Sequence, residues 1–423
     1  MKSAVKKYGI ISMLLLAQAA GAQAEVKLSL DEVVARVGSE NYLVLENAQR
    51  VYQAKESLQL VRRNLLPKLN LWRVLEIPFD PKNAIGFIED IAPFLAPNNW
   101  LRVQEEKLFL QAQTQAYRAL WSNEVLTAKS LYFHALMDRG LLTSVESGIR
   151  NLEGVYQIAR TREILGGLPE GLSKDIRVRI LALEEDRRNL EVIIREEASL
   201  IAYVSGLPGN EDVELASISL PDLDQLEPLS YADFEFRALD SSPEMRQYDA
   251  IIRAADLVKK ERYFSFLGSS SLSRGVMGGI FDELPYQDGL GFGLGPSVRI
   301  VKAHKTILEL QKQGVTETLR RTLKVLVGNY NLDLESSSNL LQRVRLTREI
   351  LERVQSRIQI GDLVEPIELM EASRNQVQAE SAWLAVQYRF LINEDRLARL
   401  IFHGDYETPP NPFAPSSNGG SRP

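Results

Sequence analysis

The sequence predicts a mainly α-helical protein, an elongated antiparallel helical bundle with a β region at one end, and three observations carry the prediction. Two proline-free segments, 99–165 and 302–360, place apolar residues three and four apart for about 60 residues each. The order helix, strand-like stretch, very long helix, Gly-Leu turn and shorter return helix occurs twice, and repeated supersecondary order is read before any local motif. The chain of 423 residues has no cysteine and three histidines, so its length is not spent on an evident catalytic constellation.

Taken in order, Lys2, Lys6 and Lys7 precede an apolar run from Ile10 to Ala19 and the small-x-small Ala22-Gln23-Ala24, the pattern of a removable export signal over residues 1–24. That run is too short to span hydrocarbon, which takes about 20 residues. Ser29 and Glu32 form a capping box that opens a helix running to about Asn64. A strand region follows over about 65–97, whose interior from Ile77 to Asn99 reads as strand or loop. The long helix from about Asn99 to Leu165 would measure roughly 100 Å at 1.5 Å per residue. Gly166 and Gly167 break it, and Ser173 is the expected cap of a return helix ending near Ser205. The first repeat is thus 25–209, and a polar connector occupies 210–228.

The second repeat, 229–403, opens with a helix from Tyr231 to about Arg262, bent at Ser242-Pro243. Its strand region, 263–300, holds eight glycines and alternates Leu290, Phe292 and Leu294 with glycine. No G-x-G-x-x-G spacing leads into a helix there, and no Lys-Ser or Lys-Thr follows, so a phosphate loop is not indicated. A second long helix runs from about Lys302 to Ile360, with Leu340, Val344, Thr347, Ile350, Leu351, Val354 and Ile358 as one apolar stripe that demands a neighbour. After Gly361 and Asp362 a return helix ends near His403. The proline-rich and serine-rich tail, 404–423, reads as flexible.

Chemistry is limited by composition. Without cysteine there are no disulfides, thiolate metal sites or cysteine nucleophiles, and the histidines at 134, 304 and 403 belong to no short ligand motif. Losing Lys2, Lys6 and Lys7 takes the formal charge from −6 to −9, against a nucleic-acid partner, which calls for a basic stripe. Glu105 and Glu106 are adjacent and diverge on a helix, whereas Glu349 and Glu352 share a face without a histidine partner. The charge run 184–188 reads as solvated helix surface. No cofactor and no enzymatic activity are expected.

The order and duplication of Leu28-Ser29-Leu30-Asp31-Glu32, Asn64-Leu65-Leu66-Pro67, Ile91-Ala92-Pro93, and Gly361-Asp362-Leu363-Val364 resemble the TolC-like outer membrane factor family across the mature chain. The resemblance implies a homotrimer giving four strands per chain to a shared twelve-stranded transmembrane β-barrel in the outer membrane and two helical repeats to a periplasmic tunnel. Its implied partners are a periplasmic adaptor, an inner-membrane transporter and outer membrane lipid; its implied function is a passive duct for efflux or type I secretion. Adaptor docking is expected at Leu165, Gly166, Gly167 and Leu168 and at Gly361, Asp362, Leu363 and Val364, and a periplasmic gate at Asp362 and Glu365. Tyr263, Phe264, Phe266, Tyr286 and Phe292 are the candidate barrel aromatics. The first strand region is short and interrupted by Asp80, Glu89 and Asp90, which motivates the alternative of a periplasmic oligomer with a reduced or absent barrel.

Overall fold

The computed structural model describes residues 26–66, 94, 97–168, 170–208, 213–264, 292–359 and 365–412. In order these form strand β1 (Val26–Leu28), helices α1 (Leu30–Glu40), α2 (Tyr42–Arg63), α3 (Pro97–Ile164) and α4 (Leu172–Val204), strand β2 (Val213–Leu215), and helices α5 (Tyr231–Ser241), α6 (Pro243–Phe264), α7 (Leu294–Gln359) and α8 (Pro366–Leu400). The chain divides into two compact units, unit 1 from 1–41, 126–228 and 329–395, and unit 2 from 42–125, 229–328 and 396–423. The long helices α3 and α7, of 68 and 66 residues, contribute to both.

Helix boundaries follow local chemistry. The amide of Glu32 donates to Ser29 Oγ at 3.3 Å and the amide of Ser29 to the Glu32 carboxylate at 2.8 Å, the expected capping box. Asn41, in an extended conformation, divides the segment read as one helix into α1 and α2 and donates its side-chain amide to Val204 O at 2.9 Å. The bend at Ser242-Pro243 is a complete break, because proline fits the first position of α6, where its missing N–H has no partner to lose. The same logic moves the start of α7 forward to Leu294: Pro296 sits in the first turn, and the Ser297 amide donates to Gly293 O at 3.0 Å. Residues 294–300, read as strand, are therefore helical, and so are Tyr263 and Phe264, the last residues of α6.

The sheet among the described residues is one parallel pair, with Val26 opposite Val213 and Leu28 opposite Leu215. Tyr132 of α3 secures it, donating to Ala216 O at 2.6 Å with Leu28 O at 3.1 Å. Three residues of strand reach about 10 Å, whereas a membrane strand takes about 9–11 residues and must belong to a closed sheet. Among the described residues the expected transmembrane barrel is thus corrected to an open two-stranded sheet, and the outer-membrane location and the lipid partner are withdrawn with it. Most of the two regions read as barrel strands, 67–93 and 265–291 with Phe266 and Tyr286, lies outside the described residues. No described helix is long and apolar enough to cross a membrane.

In unit 1, Leu152, Val155 and Ala159 of α3 pack with Ile176 and Ile180 of α4, Leu351 and Val354 of α7, and Leu369 and Ala372 of α8. Of the stripe expected on α7, Val344, Leu351 and Val354 are buried, whereas Ile350 is 46% exposed. Ion pairs Arg348–Glu380 and Arg357–Glu368, both 3.0 Å, ascend α7 while descending α8, which fixes the two helices antiparallel.

Unit 2 repeats the scheme on other stretches of α3 and α7, with α6 as their cover. Ala250, Ile251, Ala254, Ala255 and Val258 of α6 meet Val301 and Leu308 of α7 and Ala112 of α3. Lys305–Asp256 at 2.8 Å and Lys312–Asp249 at 2.6 Å lie one heptad apart on both helices, in opposite directions. Residues 404–412 of the tail are seated rather than loose: Tyr406 is buried, Tyr117 donates to Pro410 O at 3.2 Å, and the Arg118 and Arg399 guanidiniums lie 5.0 and 5.3 Å from the Phe402 ring centre.

Gly206, at φ 69°, turns the chain out of α4 within unit 1, and a Cβ there would sit 2.4 Å from Glu40 O. Left-handed backbone and a backbone clash both oppose a side chain. Gly206→Ala is expected to destabilise the protein by about 2 kcal/mol or more, measurable as a lowered denaturation midpoint; an unchanged midpoint would show that α1 and α4 do not depend on this close approach.

Candidate functional site

The turn between α3 and α4 is built by glycine geometry. At the end of α3 the Gly167 amide donates to Arg162 O at 2.8 Å and the Gly166 amide to Glu163 O at 3.0 Å, with Gly166 at φ 75°. These are the paired 6→1 and 5→2 bonds that satisfy the last carbonyls of a helix around a left-handed residue. A second left-handed glycine, Gly171 at φ 108°, precedes α4. It holds the cap position expected of Ser173, which instead lies inside the first turn and is redirected across the hairpin. The Ser173 amide donates to the Glu163 carboxylate at 2.8 Å and its hydroxyl does so at 2.5 Å.

This cross-link clamps the hairpin while leaving its apex exposed. Ile164 and Leu165 are each 77% exposed, and Leu168 turns back to pack on the apolar seam below. Beside the turn a hollow of about 500 Å³ is lined by Leu168, Gly171 and Leu172, by Glu170, Lys174 and Asp175, and by Glu365, Pro366 and Ile367 at the start of α8. The structure therefore brings the first expected docking turn next to Glu365, the described member of the expected gate pair. Gly361, Asp362, Leu363 and Val364 lie outside the described residues.

The lining of the hollow holds Glu170, Asp175 and Glu365 against Lys174, and beside it Glu163 has a marked shift. The Ser173 hydroxyl first, and the Ser173 amide next, hold its carboxyl below the usual glutamate value. Glu163, Ile164 and Ile367 are not singled out by the sequence pattern, and Ser173 is singled out only as a helix cap. The i, i+10 contact depends on where the turn closes, which is set by two positive-φ glycines rather than by a motif.

Of the expected barrel aromatics, Tyr263, Phe264 and Phe292 are among the described residues, and Phe266 and Tyr286 lie outside them. Tyr263 and Phe264 are 52% and 39% exposed at the end of α6, and the Phe264 carbonyl accepts from Asn98 Nδ2 at 3.2 Å. Phe292 is fully exposed just before α7. Among the described residues no three His, Asp or Glu side chains gather to hold a metal ion.

No protein-family model matches the chain, and no curated protein does. Solved structures do. A membrane protein from Pseudomonas aeruginosa aligns with TM-score 0.70 at 13% identity, over 92% of this chain and 95% of that one. The CmeC outer membrane channel of Campylobacter jejuni aligns with TM-score 0.66 at 13% identity, over 88% and 85%. The MtrE outer membrane channel of Neisseria gonorrhoeae, in its open state, aligns with TM-score 0.63 at 13% identity, over 88% of each. The chain has the TolC-like outer membrane factor fold.

The Glu163 clamp yields a pH prediction. Because its folded-state acidity is strengthened, its contribution is present above the unfolded value and is lost as pH falls through the lower folded one. Amide exchange of residues 164–173 is expected to accelerate on acidification relative to the rest of α3, and Ser173→Ala to produce the same acceleration at neutral pH. Equal exchange in the wild type and Ser173→Ala would remove the clamp.

Proposed function

We propose that the protein is a subunit of a periplasmic TolC-like homotrimer, a passive helical conduit with a reduced or absent transmembrane barrel. It engages a periplasmic adaptor, and through it an inner-membrane transporter. The apex of the α3–α4 hairpin carries this reading. Ile164 and Leu165 are held out to solvent by a turn whose backbone and side-chain bonds are satisfied without them. Large exposed aliphatics on an ordered turn are the usual anchor of a protein contact, with a neighbouring hollow to receive the partner's side chains. The carboxylates of Glu170, Asp175 and Glu365 around that hollow favour a partner whose rim is basic.

The breadth of the likeness to channel structures supports the conduit, since it extends along most of the chain. The open two-stranded sheet supports the reduced form over a full membrane channel. In this reading Glu365, with Asp362, lines the periplasmic entrance, where three copies facing an axis would repel when ionised and draw cations.

A photo-crosslinking side chain at Leu165 is expected to trap a protein with an adaptor's helical hairpin, and one at Phe236, 80% exposed in unit 2, is expected not to. Leu165→Asp should weaken adaptor binding at least about tenfold, roughly the 1.4 kcal/mol of a minor anchor, without moving the denaturation midpoint. Identical adducts at both positions, or unchanged binding by Leu165→Asp, would defeat docking at this apex.

A further inference from the structure

In unit 1, α4 and α7 each carry a second apolar stripe outside the buried seam, on helix surface that is ordinarily polar. On α4, Val178, Leu181, Val192, Ile193 and Leu200 are between 41 and 64% exposed. At 3.6 residues per turn their spacing gathers them within about 120° of the helix circumference, opposite the buried Ile176 and Ile180. On α7, Leu332, Leu346 and Ile350 are between 46 and 58% exposed, and their spacing holds them within about 40°. Scattered exposed leucines need no explanation, whereas two aligned stripes of aliphatic side chains mark contact surfaces.

Buried neighbours fix the height of one stripe against the other. A Cβ on Gly148 of α3 would lie 3.3 Å from Val377 of α8 and 3.6 Å from Leu183 of α4, so these three residues share a level. One turn along α8 from Val377, Glu380 pairs with Arg348 of α7 at 3.0 Å. Leu183 thus stands level with the stretch of α7 around Arg348, in keeping with the common burial of Ile180 and Leu351 in one cluster. Leu181 and Ile350, each adjacent in sequence to one of that buried pair, are therefore at nearly the same height. Both are nearly half exposed, so they do not cover each other within the chain.

We propose that a second copy of the chain covers these faces, the outer stripe of α4 in one copy packing against the outer stripe of α7 in the next. A rotation axis running along the bundle leaves every residue at its own height, so Leu181 of one copy falls opposite Ile350 of its neighbour. The contact joins two different faces, and repeating it closes a ring once the rotation comes full circle. Covering both stripes buries roughly 700 Å² of aliphatic side chain at each seam, and with the small and polar residues between them the contact approaches the ~1,200 Å² of a stable protein interface. A foreign partner would have to supply two separate apolar surfaces, whereas a copy of this chain brings the matching one at the matching height. This inference deepens the conduit reading and rests on the conduit being built from several copies.

The test uses the absence of cysteine from the chain, which makes each introduced thiol the only one present. Full-length Leu181→Cys and Ile350→Cys chains carrying different tags are co-expressed, purified together and treated with a bis-maleimide spanning about 8–10 Å, the separation of packed helices. A covalent pair of the two tagged chains is expected, and Phe236→Cys of unit 2 in place of Ile350→Cys should give no such pair. Independently, Leu181→Asp should weaken self-association at least about tenfold, with helical content unchanged by circular dichroism. An oligomer in which Leu181→Cys links to its own kind, or to Phe236→Cys as readily as to Ile350→Cys, or in which Leu181→Asp associates like the wild type, overturns this seam and leaves the conduit reading standing. A protein that is monomeric at every concentration overturns both.

Discussion

The structure depends on burying the apolar stripes of two helices too long to be covered by any one neighbour. Helices α3 and α7 each need cover along their whole length, and two sets of shorter helices supply it. Helices α4 and α8 cover one part of each, through Ile176, Ile180, Leu369 and Ala372. Helix α6 covers another, through Ala250, Ala254, Ala255 and Val258, where small residues let helix backbones approach. The duplication visible in the sequence is therefore a packing solution: each repeat provides one long helix and the shorter helices that complete its seam.

Polar contacts set register where apolar packing leaves it open. The heptad-spaced Lys305–Asp256 and Lys312–Asp249 pairs align α6 with α7, and Arg348–Glu380 and Arg357–Glu368 align α7 with α8. Such half-exposed pairs are each worth at most about 1 kcal/mol. Their value lies in excluding a slip of one turn. Buried polar groups act differently. Asp333, almost wholly enclosed, is met by Arg389 and by Asn393 Nδ2 at 3.1 Å, so that its burial is compensated at both oxygens.

Much of the architecture is legible in the sequence because it is written in long periodic signals. The two long helices, the capping box at Ser29 and Glu32, the break at Ser242-Pro243 and the glycine turn after Leu165 follow from periodicity and from residues with one strong conformational preference. What escaped depends on distant partners. The β1–β2 pair joins three-residue segments about 190 positions apart, and neither is long enough to alternate visibly. The end of the glycine alternation is helical from Leu294, where Pro296 in the first turn marks the helix start. Adjacent Glu105 and Glu106 looked divergent, yet Arg102 one turn earlier reaches both. The barrel was an inference from resemblance, and the described sheet, open and parallel, does not support it.

At the tip, the turn glycines were legible, but the Glu163–Ser173 clamp was not, since it required knowing that Gly171 rather than Ser173 begins the return helix. Together the seam and the clamped apex fit the proposed subunit, one that lines a conduit and presents one end to a partner. The most direct test of that account is a cryo-electron microscopy reconstruction of the purified full-length assembly. The account predicts a three-fold ring of antiparallel helices enclosing a continuous lumen, with the α3–α4 apex at one mouth and no closed twelve-stranded barrel; a monomer without a lumen, or a closed transmembrane barrel, would contradict it.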